Sequence, residues 1–287
     1  MHPRRHFRIT LREHSLDLGP KTLIMGVLNV TPDSFSDGGR FLSYSDAVTR
    51  AWRIADEGAD ILDIGGESTR PGSQGVSSDE ELRRVLPVLE AVAGTYPLPI
   101  SVDTSKAVVA RRALELGAEL VNDVTALRKS PQIGEEVARS GAGIILMHMR
   151  GDPCTMQVIP PSQDILSEIE QWAGEAVERA GSSGISSSKI ILDPGIGFGK
   201  TANQNLEILR HLGRLAKLSF PLMIGTSRKS FIGTILNRPA GDRIFGSAAS
   251  VAASIMFGAH IVRVHDVAAM RDVAQIIDSI CSERPEE

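Results

Sequence analysis

Short runs of branched apolar residues recur along the chain at 23–28, 61–64, 100–102, 120–121, 144–147, 190–192, 222–224 and 261–264. Each is followed by a segment whose apolar positions return with helical spacing, and this alternation predicts repeated parallel βα units. Several runs are apolar at consecutive positions, the pattern of parallel strands buried on both faces. Eight such units predict an α/β fold, a single-domain (β/α)8 TIM barrel, and 287 residues are close to the ~250 typical of it.

Helix starts are legible as well. Ser78 stands before Asp79, Glu80 and Glu81, a capping hydroxyl and three acids where a helix N-terminus favours them, and Ser45 with Asp46 opens an earlier helix similarly. The connection 151–188 is the longest, with Pro153, Pro160, Pro161 and a Gly/Ser-rich run at 181–188. It reads as loop, helix and loop inside one domain. Residues 1–287 are expected to form one barrel domain, with residues 1–20 an N-terminal extension packing on it and the basic start, 1–8, a solvated terminus. Gly246, Ser250, Ser254 and Gly258 make a small-residue stripe at i, i+4 spacing, suited to close packing against the barrel or another helix.

Composition narrows the function. With 42% hydrophobic residues the chain can bury roughly 70–75% of its unfolded surface and needs no staples. Cys154 and Cys281 show neither zinc-ligand spacing nor a disulfide framework, so a reducing, cytoplasmic setting is expected. A net charge of −4 supplies no general footprint for nucleic acid or an anionic membrane, and no apolar stretch is long enough to span a bilayer. An anionic ligand must therefore be held locally.

In such a barrel the chemistry gathers at the carboxyl ends of the strands. Polar residues stand there at nearly every strand: Asn29; Asp63 and Glu67; Asp103; Asn122 and Asp123; His148; Asp193; Ser227 to Lys229; and Arg263 with His265. Any one of them could be a satisfied structural group, but their repetition at corresponding places marks a site. Asp103, Asn122 and Asp193 offer acceptors and amides suited to a flat nitrogen heterocycle. Lys229, Arg263 and His265 are mainly donors and cations suited to an anion. Gly195, Gly197, Gly199, Lys200 and Thr201 resemble a phosphate loop, but Pro194 stands at the first glycine position, and these glycines read as a flexible loop over the barrel mouth. The histidines include no HExxH arrangement, which argues against a zinc enzyme.

Seven segments carry a resemblance to a known family: MGVLNVTPDSFSDGG at 25–39, DIGGESTRPG at 63–72, SVDT at 101–104, VND at 121–123, DPGIGFGK at 193–200, TSRKSF at 226–231 and RVHD at 263–266. In this order and over nearly the whole chain they resemble the dihydropteroate synthases. The resemblance implies condensation of a dihydropterin methyl diphosphate with 4-aminobenzoate, release of diphosphate, a place in folate biosynthesis, a pterin-binding barrel, a homodimer and sensitivity to sulfonamides. Asp103, Asn122, Asp193 and Lys229 would bind the pterin. Asn29, Thr69, Arg70, Arg263 and His265 would hold the diphosphate. Phe35, Pro71, Phe198, Ser227 and Lys229 would form the 4-aminobenzoate pocket. A Mg²⁺ ion is implied, with Asn29 as its best protein ligand and Asp37 a weaker second. Catalysis would fall to Asp103, Lys229, Arg263 and His265, the first by facing the ring as it becomes electron-poor. Two rivals share a pterin site: a methyltetrahydrofolate-corrinoid methyltransferase, which needs no diphosphate pocket, and a non-catalytic pterin-binding relative.

Overall fold

In a β-strand every second side chain points to the same face, so a closed barrel of parallel strands has an inside series and an outside series. The chain follows that rule in a computed structural model that describes residues 4–31, 44–68, 73, 75–152, 154–156 and 158–282. Eight parallel strands form the barrel: β3 (Leu23–Asn29), β4 (Ile61–Gly65), β5 (Ile100–Asp103), β6 (Leu120–Asp123), β7 (Gly143–Met147), β8 (Ile190–Asp193), β9 (Met223–Ile224) and β10 (Ile261–Val264). Their hydrogen-bonded order runs β8-β7-β6-β5-β4-β3-β10-β9, and a parallel bridge between Leu192 and Leu222 joins the two ends.

The inside series has two levels. At the amino end of the barrel Met25, Ile61, Leu120, Ile145, Ile191, Met223 and Ile261 pack into one buried cluster. Two residues further along the same strands stand Asp63, Asn122, Met147, Asp193, Gly225 and Arg263. An apolar floor therefore carries a mostly polar upper layer. The outside series, including Ile24, Leu62, Val102, Val121, Leu192 and Val262, packs against the surrounding helices in the main core.

Those helices are α1 (Tyr44–Asp56), α2 (Ser78–Val92), α3 (Ala107–Glu115), α4 (Gln132–Ser140), α5 (Ile165–Ser182), α6 (Ala202–Arg210), α7 (Leu212–Leu215), α8 (Ser230–Leu236), α9 (Ile244–Met256) and α10 (Val267–Cys281). The cap of α2 is Ser77, one residue before the expected Ser78, because its Oγ accepts from Glu80 N. Ser45 and Asp46 fall in the first turn of α1. The 151–188 connection contains the expected helix, α5, capped by Asp164. Along the small-residue stripe, a Cβ on Gly246 would overlap Ile232 of α8, and Ser250 and Ser254 return their hydroxyls to carbonyls of their own helix.

The amino-terminal end is not simply solvated. An antiparallel hairpin, β1 (Phe7–Thr10) and β2 (Ser15–Leu18), closes the barrel floor with Ile9, Leu11, Leu16 and Leu18, which join its apolar cluster. Ahead of it, Arg4 bonds Thr22, Asp278 and the Ala259 carbonyl, with its side chain only 9% exposed. The solvated-terminus expectation fails at Arg4, which finds carboxylate and carbonyl partners at the bottom of the barrel, while Arg5, His6 and Arg8 are exposed as expected.

Glu119, just before β6, ties the hairpin down by accepting from Glu13 N at 2.7 Å and His14 N at 3.2 Å and by meeting His14 Nδ1 at 2.5 Å. Burial opposes charging this carboxyl, but the hydrogen bonds outweigh it and hold its pKa below the ordinary value. Its contribution to stability is thus present above about pH 4.5 and fades as pH falls through the depressed value. Glu119→Ala should cost about 1–3 kcal/mol in denaturant titration at neutral pH and much less under acid, with the opposite mouth of the barrel unaffected; equal losses at both pH values would contradict this account.

Candidate active site

The upper inside layer opens at the carboxyl ends of the strands. There, Asp103, Asn122, Asp193, Phe198, Ser227, Lys229, Arg263 and His265 line one cleft with Val124, Met147, Ile196 and Gly225. Residues separated by up to 162 positions, from Asp103 to His265, are brought together by the strands and the loops that follow them. Asn29 lines an adjoining cavity of about 500 Å³ with Arg50, Arg53, Arg228 and Asp266, and His265 belongs to both walls. Phe35, Asp37, Thr69, Arg70 and Pro71 lie outside the described residues.

At the centre is Arg263. Its Nε donates to Asp63 Oδ2 at 2.6 Å and its Nη2 to Asp103 Oδ2 at 2.7 Å, while Asn122 Nδ2 reaches the same Asp63 oxygen at 3.2 Å. A guanidinium suits this bridge because its donors lie in one rigid plane. Asp63, wholly buried, therefore orients both Arg263 and Asn122. The sequence marked Asp63 only as one strand-end acid among several, and its organising part follows from where β4, β6 and β10 place their inward side chains. Among the described residues, Asp63 Oδ1 and Asn122 Oδ1 are buried without a hydrogen-bond partner. Of the two, Asn122 lines the cleft, and its orphaned acceptor is suited to a donor on a ligand.

The electrostatics follow from burial first. Burial raises the Asp103 pKa to about 7 against the pull of Arg263, with Asp63 pushing the same way as burial. Lys229 is lowered to about 8 by burial and then by Arg263. Burial also raises Asp193, which nonetheless accepts from Gly195 N at 2.7 Å. His265 is lowered to about 3 by burial and by Arg263, Arg228 and Lys229, which corrects its reading as a cation. Its ring is neutral in this arrangement, with Nδ1 3.1 Å from Ser227 Oγ.

Lys229 Nζ lies over the Phe198 ring, 4.0 Å from its centre, a cation–π contact across the cleft. With the lysine there the cleft has only about 30 Å³ of free volume, little more than one water. Phe198 belongs to an apolar wall with Val124, Met147, Met149 and Met156.

The glycine loop before α6 is pinned rather than flexible. Lys200 Nζ donates to the carbonyls of His148, Gly195 and Phe198 at 3.2, 2.8 and 3.1 Å, and Asn205 Oδ1 accepts from Gly197 N at 2.7 Å. Gly195 has φ 67°, and a Cβ on it would overlap the His148 carbonyl, so the close approach requires glycine. Lys200, half-buried and lowered to about 7 chiefly by that burial, was read only as the end of a failed phosphate-loop match; its three carbonyl contacts have no local signature.

Other strand-end candidates are structural. Asp123 accepts from Thr125 N, Thr125 Oγ1 and Leu127 N. His148 packs edge-on to Trp172 and is held neutral, lowered to about 2 mainly by burial. Glu67 pairs with Lys106, which also pairs with the buried Glu81.

Known proteins give this arrangement a context. A family profile described as pterin binding enzyme matches residues 25–265. The dihydropteroate synthase of Synechocystis sp. is 48% identical over 265 residues, 92% of each chain. Among solved structures, the Yersinia pestis dihydropteroate synthase, in complex with a sulfonamide drug, is 43% identical with a TM-score of 0.91, covering 96% of this chain and 99% of that one. The Xanthomonas albilineans dihydropteroate synthase, with 4-aminobenzoic acid, is 41% identical with a TM-score of 0.90 and covers 98% and 100%.

If Arg263 restrains the Asp103 carboxyl, Arg263→Met should move that carboxyl above its value of about 7. Carboxyl ¹³C titration would read this directly, and a fall or no movement would show that Arg263 is not the balancing charge.

Proposed function

The chain belongs to the pterin-binding enzyme family, and from that premise we propose that it is a dihydropteroate synthase. It condenses (7,8-dihydropterin-6-yl)methyl diphosphate with 4-aminobenzoate to give 7,8-dihydropteroate and diphosphate. The observation that carries the reading is the single cleft in which Asp193, Asn122 and Asp103 face Arg263, Lys229 and His265. Carboxylates and an amide suit the donor-rich edge of an aminopyrimidine, while cations and an imidazole suit a diphosphate on the same molecule.

In this reading Asp193 accepts from the pterin's amino-pyrimidine edge, and Asn122 Oδ1, orphaned in the free protein, accepts a further donor. Lys229 lifts from Phe198 to let the ring enter the narrow cleft. Breaking the C–O bond sends its electron pair out with diphosphate and leaves a cationic methylene. Asp103, ionised and beside the ring, stabilises that charge. The amine lone pair then forms the C–N bond, and the surplus proton passes to the departing diphosphate. No covalent enzyme intermediate is needed.

Asn29, Arg263 and His265 would receive the diphosphate, with Thr69 and Arg70 completing its site and Phe35, Pro71, Phe198, Ser227 and Lys229 the arylamine pocket. Mg²⁺ fits as an ion carried with the diphosphate: among the described residues no group of His, Cys, Asp or Glu could cage a metal, while Asn29 offers a neutral carbonyl oxygen at the edge of the larger cavity. When bound, such an ion would neutralise diphosphate charge. Asp37 would be a second ligand.

A homodimer is supported by exposed apolar side chains on neighbouring helices, Ile235 and Leu236 of α8, Ile244 and Phe245 of α9, and Ile276 and Ile280 of α10. A cytoplasmic location is supported by two free thiols, Cys154 and Cys281. Among the described residues no helix is long and apolar enough to cross a membrane.

The test is purified protein with the dihydropterin diphosphate, Mg²⁺ and 4-aminobenzoate, following diphosphate and coupled product together. Equal release of both, with sulfonamides competing against 4-aminobenzoate, is expected. Pterin binding without turnover would favour a non-catalytic relative, and methyl transfer to a corrinoid protein would favour the rival transferase. The pH profile should be bell-shaped. Activity should rise as Asp103 ionises near 7 and fall as Lys229 loses its proton near 8, the acid limb belonging to the Asp63–Arg263–Asp103 group as a whole. Asp103→Asn should remove the acid limb.

A further inference from the structure

Behind the cleft, the turn carrying Ser227 and Lys229 is held by a residue that lies outside the cleft lining. Arg228, between them, has φ 60°, a left-handed conformation uncommon for a non-glycine residue. Three groups maintain it. Its N–H donates to Ser247 Oγ at 3.0 Å, and its guanidinium pairs with Asp266, the neighbour of His265. The third is Arg243, the residue preceding α9, whose Nη1 donates to Arg228 O at 3.0 Å and to Lys229 O at 3.3 Å. Arg243 Nε donates to Arg238 O at 2.9 Å, so one guanidinium gathers three main-chain carbonyls.

The slot for this guanidinium is built in. A Cβ on Gly233, in the middle of α8, would overlap Arg243 Cζ and Nη2. Glycine is a poor helix residue, weaker than alanine by about 1 kcal/mol. Gly233 thus gives up local helix preference where the planar cation must lie.

We propose that Arg243 is a positioning residue for the reaction: through the carbonyls of Arg228 and Lys229 it sets where Ser227 and Lys229 point, and thereby controls binding of the arylamine substrate. The asymmetry between substrates follows from the cleft. Asp103, Asn122 and Asp193 hang from other strands and keep their places without Arg243. The pterin takes only Lys229 from the affected turn, whereas the arylamine takes both Ser227 and Lys229 from it, with Phe198 opposite.

This inference rests on the synthase reading, and the two fail differently. A wild-type protein that makes no dihydropteroate refutes the reading. An active wild type with an indifferent Arg243 refutes only the inference. The experiment measures KM for each substrate and kcat, with thermal midpoints, in Arg243→Ala, Arg243→Lys, Gly233→Ala and the Gly233→Ala/Arg243→Ala double variant. Arg243→Ala should raise the KM for 4-aminobenzoate about tenfold or more and that for the pterin diphosphate by a clearly smaller factor, because a displacement of roughly 1 Å suffices to spoil a fitted contact and the pterin keeps Asp103, Asn122 and Asp193. Arg243→Lys, able to reach fewer carbonyls, should fall between. Gly233→Ala should reproduce the arylamine defect by displacing the guanidinium, and the double variant should be no worse than either single one. Guanidinium ion at non-denaturing concentration should restore Arg243→Ala in part. Equal changes in both KM values, additive Gly233 and Arg243 effects, or a Gly233→Ala protein with normal arylamine KM would each overturn the proposal. Should Arg243→Ala fail to fold, the Arg243→Lys and Gly233→Ala proteins decide it by the same KM ratio.

Discussion

A guanidinium held between two buried carboxylates organises the upper half of this barrel. Arg263 comes from β10, Asp63 from β4 and Asp103 from β5, so its two hydrogen bonds join strands that are not all neighbours across the mouth. The cation offsets the burial that pushes the Asp103 carboxyl up, and it would itself be costly there without its partners. The mutual dependence also sets the titration of groups it does not touch. Arg263 helps lower both Lys229 and His265, so that a lysine near neutrality and an uncharged imidazole lie side by side around an ionisable carboxyl.

That trio is possible because the barrel separates two jobs along each strand. The lower inward residues, with the β1–β2 hairpin beneath them, make a dry floor. The residues two positions later are freed from packing duty and can be polar. Burying Asp63 completely would be destabilising on an open surface of mixed polarity, but above an apolar floor and beside Arg263 it becomes an orienting group. In the proposed reaction, the low dielectric that raises Asp103 also strengthens its grip on the developing cation.

Outside the cleft, a second ring of cations works on the main chain. Lys200 gathers the carbonyls of His148, Gly195 and Phe198, and Arg243 those of Arg228, Lys229 and Arg238. Each fixes a loop whose side chains face the cleft. Both depend on a glycine that permits close approach, Gly195 in one case and Gly233 in the other. Loops whose side chains line the cleft are held from behind, which keeps those side chains in place without occupying the cavity.

Much of this was written locally. The eight apolar runs, the helical spacing between them and the polar residue at the end of each strand are short-range patterns, so barrel class and cleft membership of Asp103, Asn122, Asp193, Ser227, Lys229, Arg263 and His265 could be read from the chain. What could not be read depends on neighbours distant in sequence. Asp63 resembled the other strand-end acids until register placed it under both Arg263 and Asn122. His265 looked cationic because its charge depends on three cations that only folding brings near it. Arg4 looked solvated because its carboxylate and carbonyl partners, Asp278 and Ala259, lie more than 250 residues away. Period and propensity act over a few residues. Protonation, buried pairing and main-chain support are set by distances in space, and those exist only once the strands have closed.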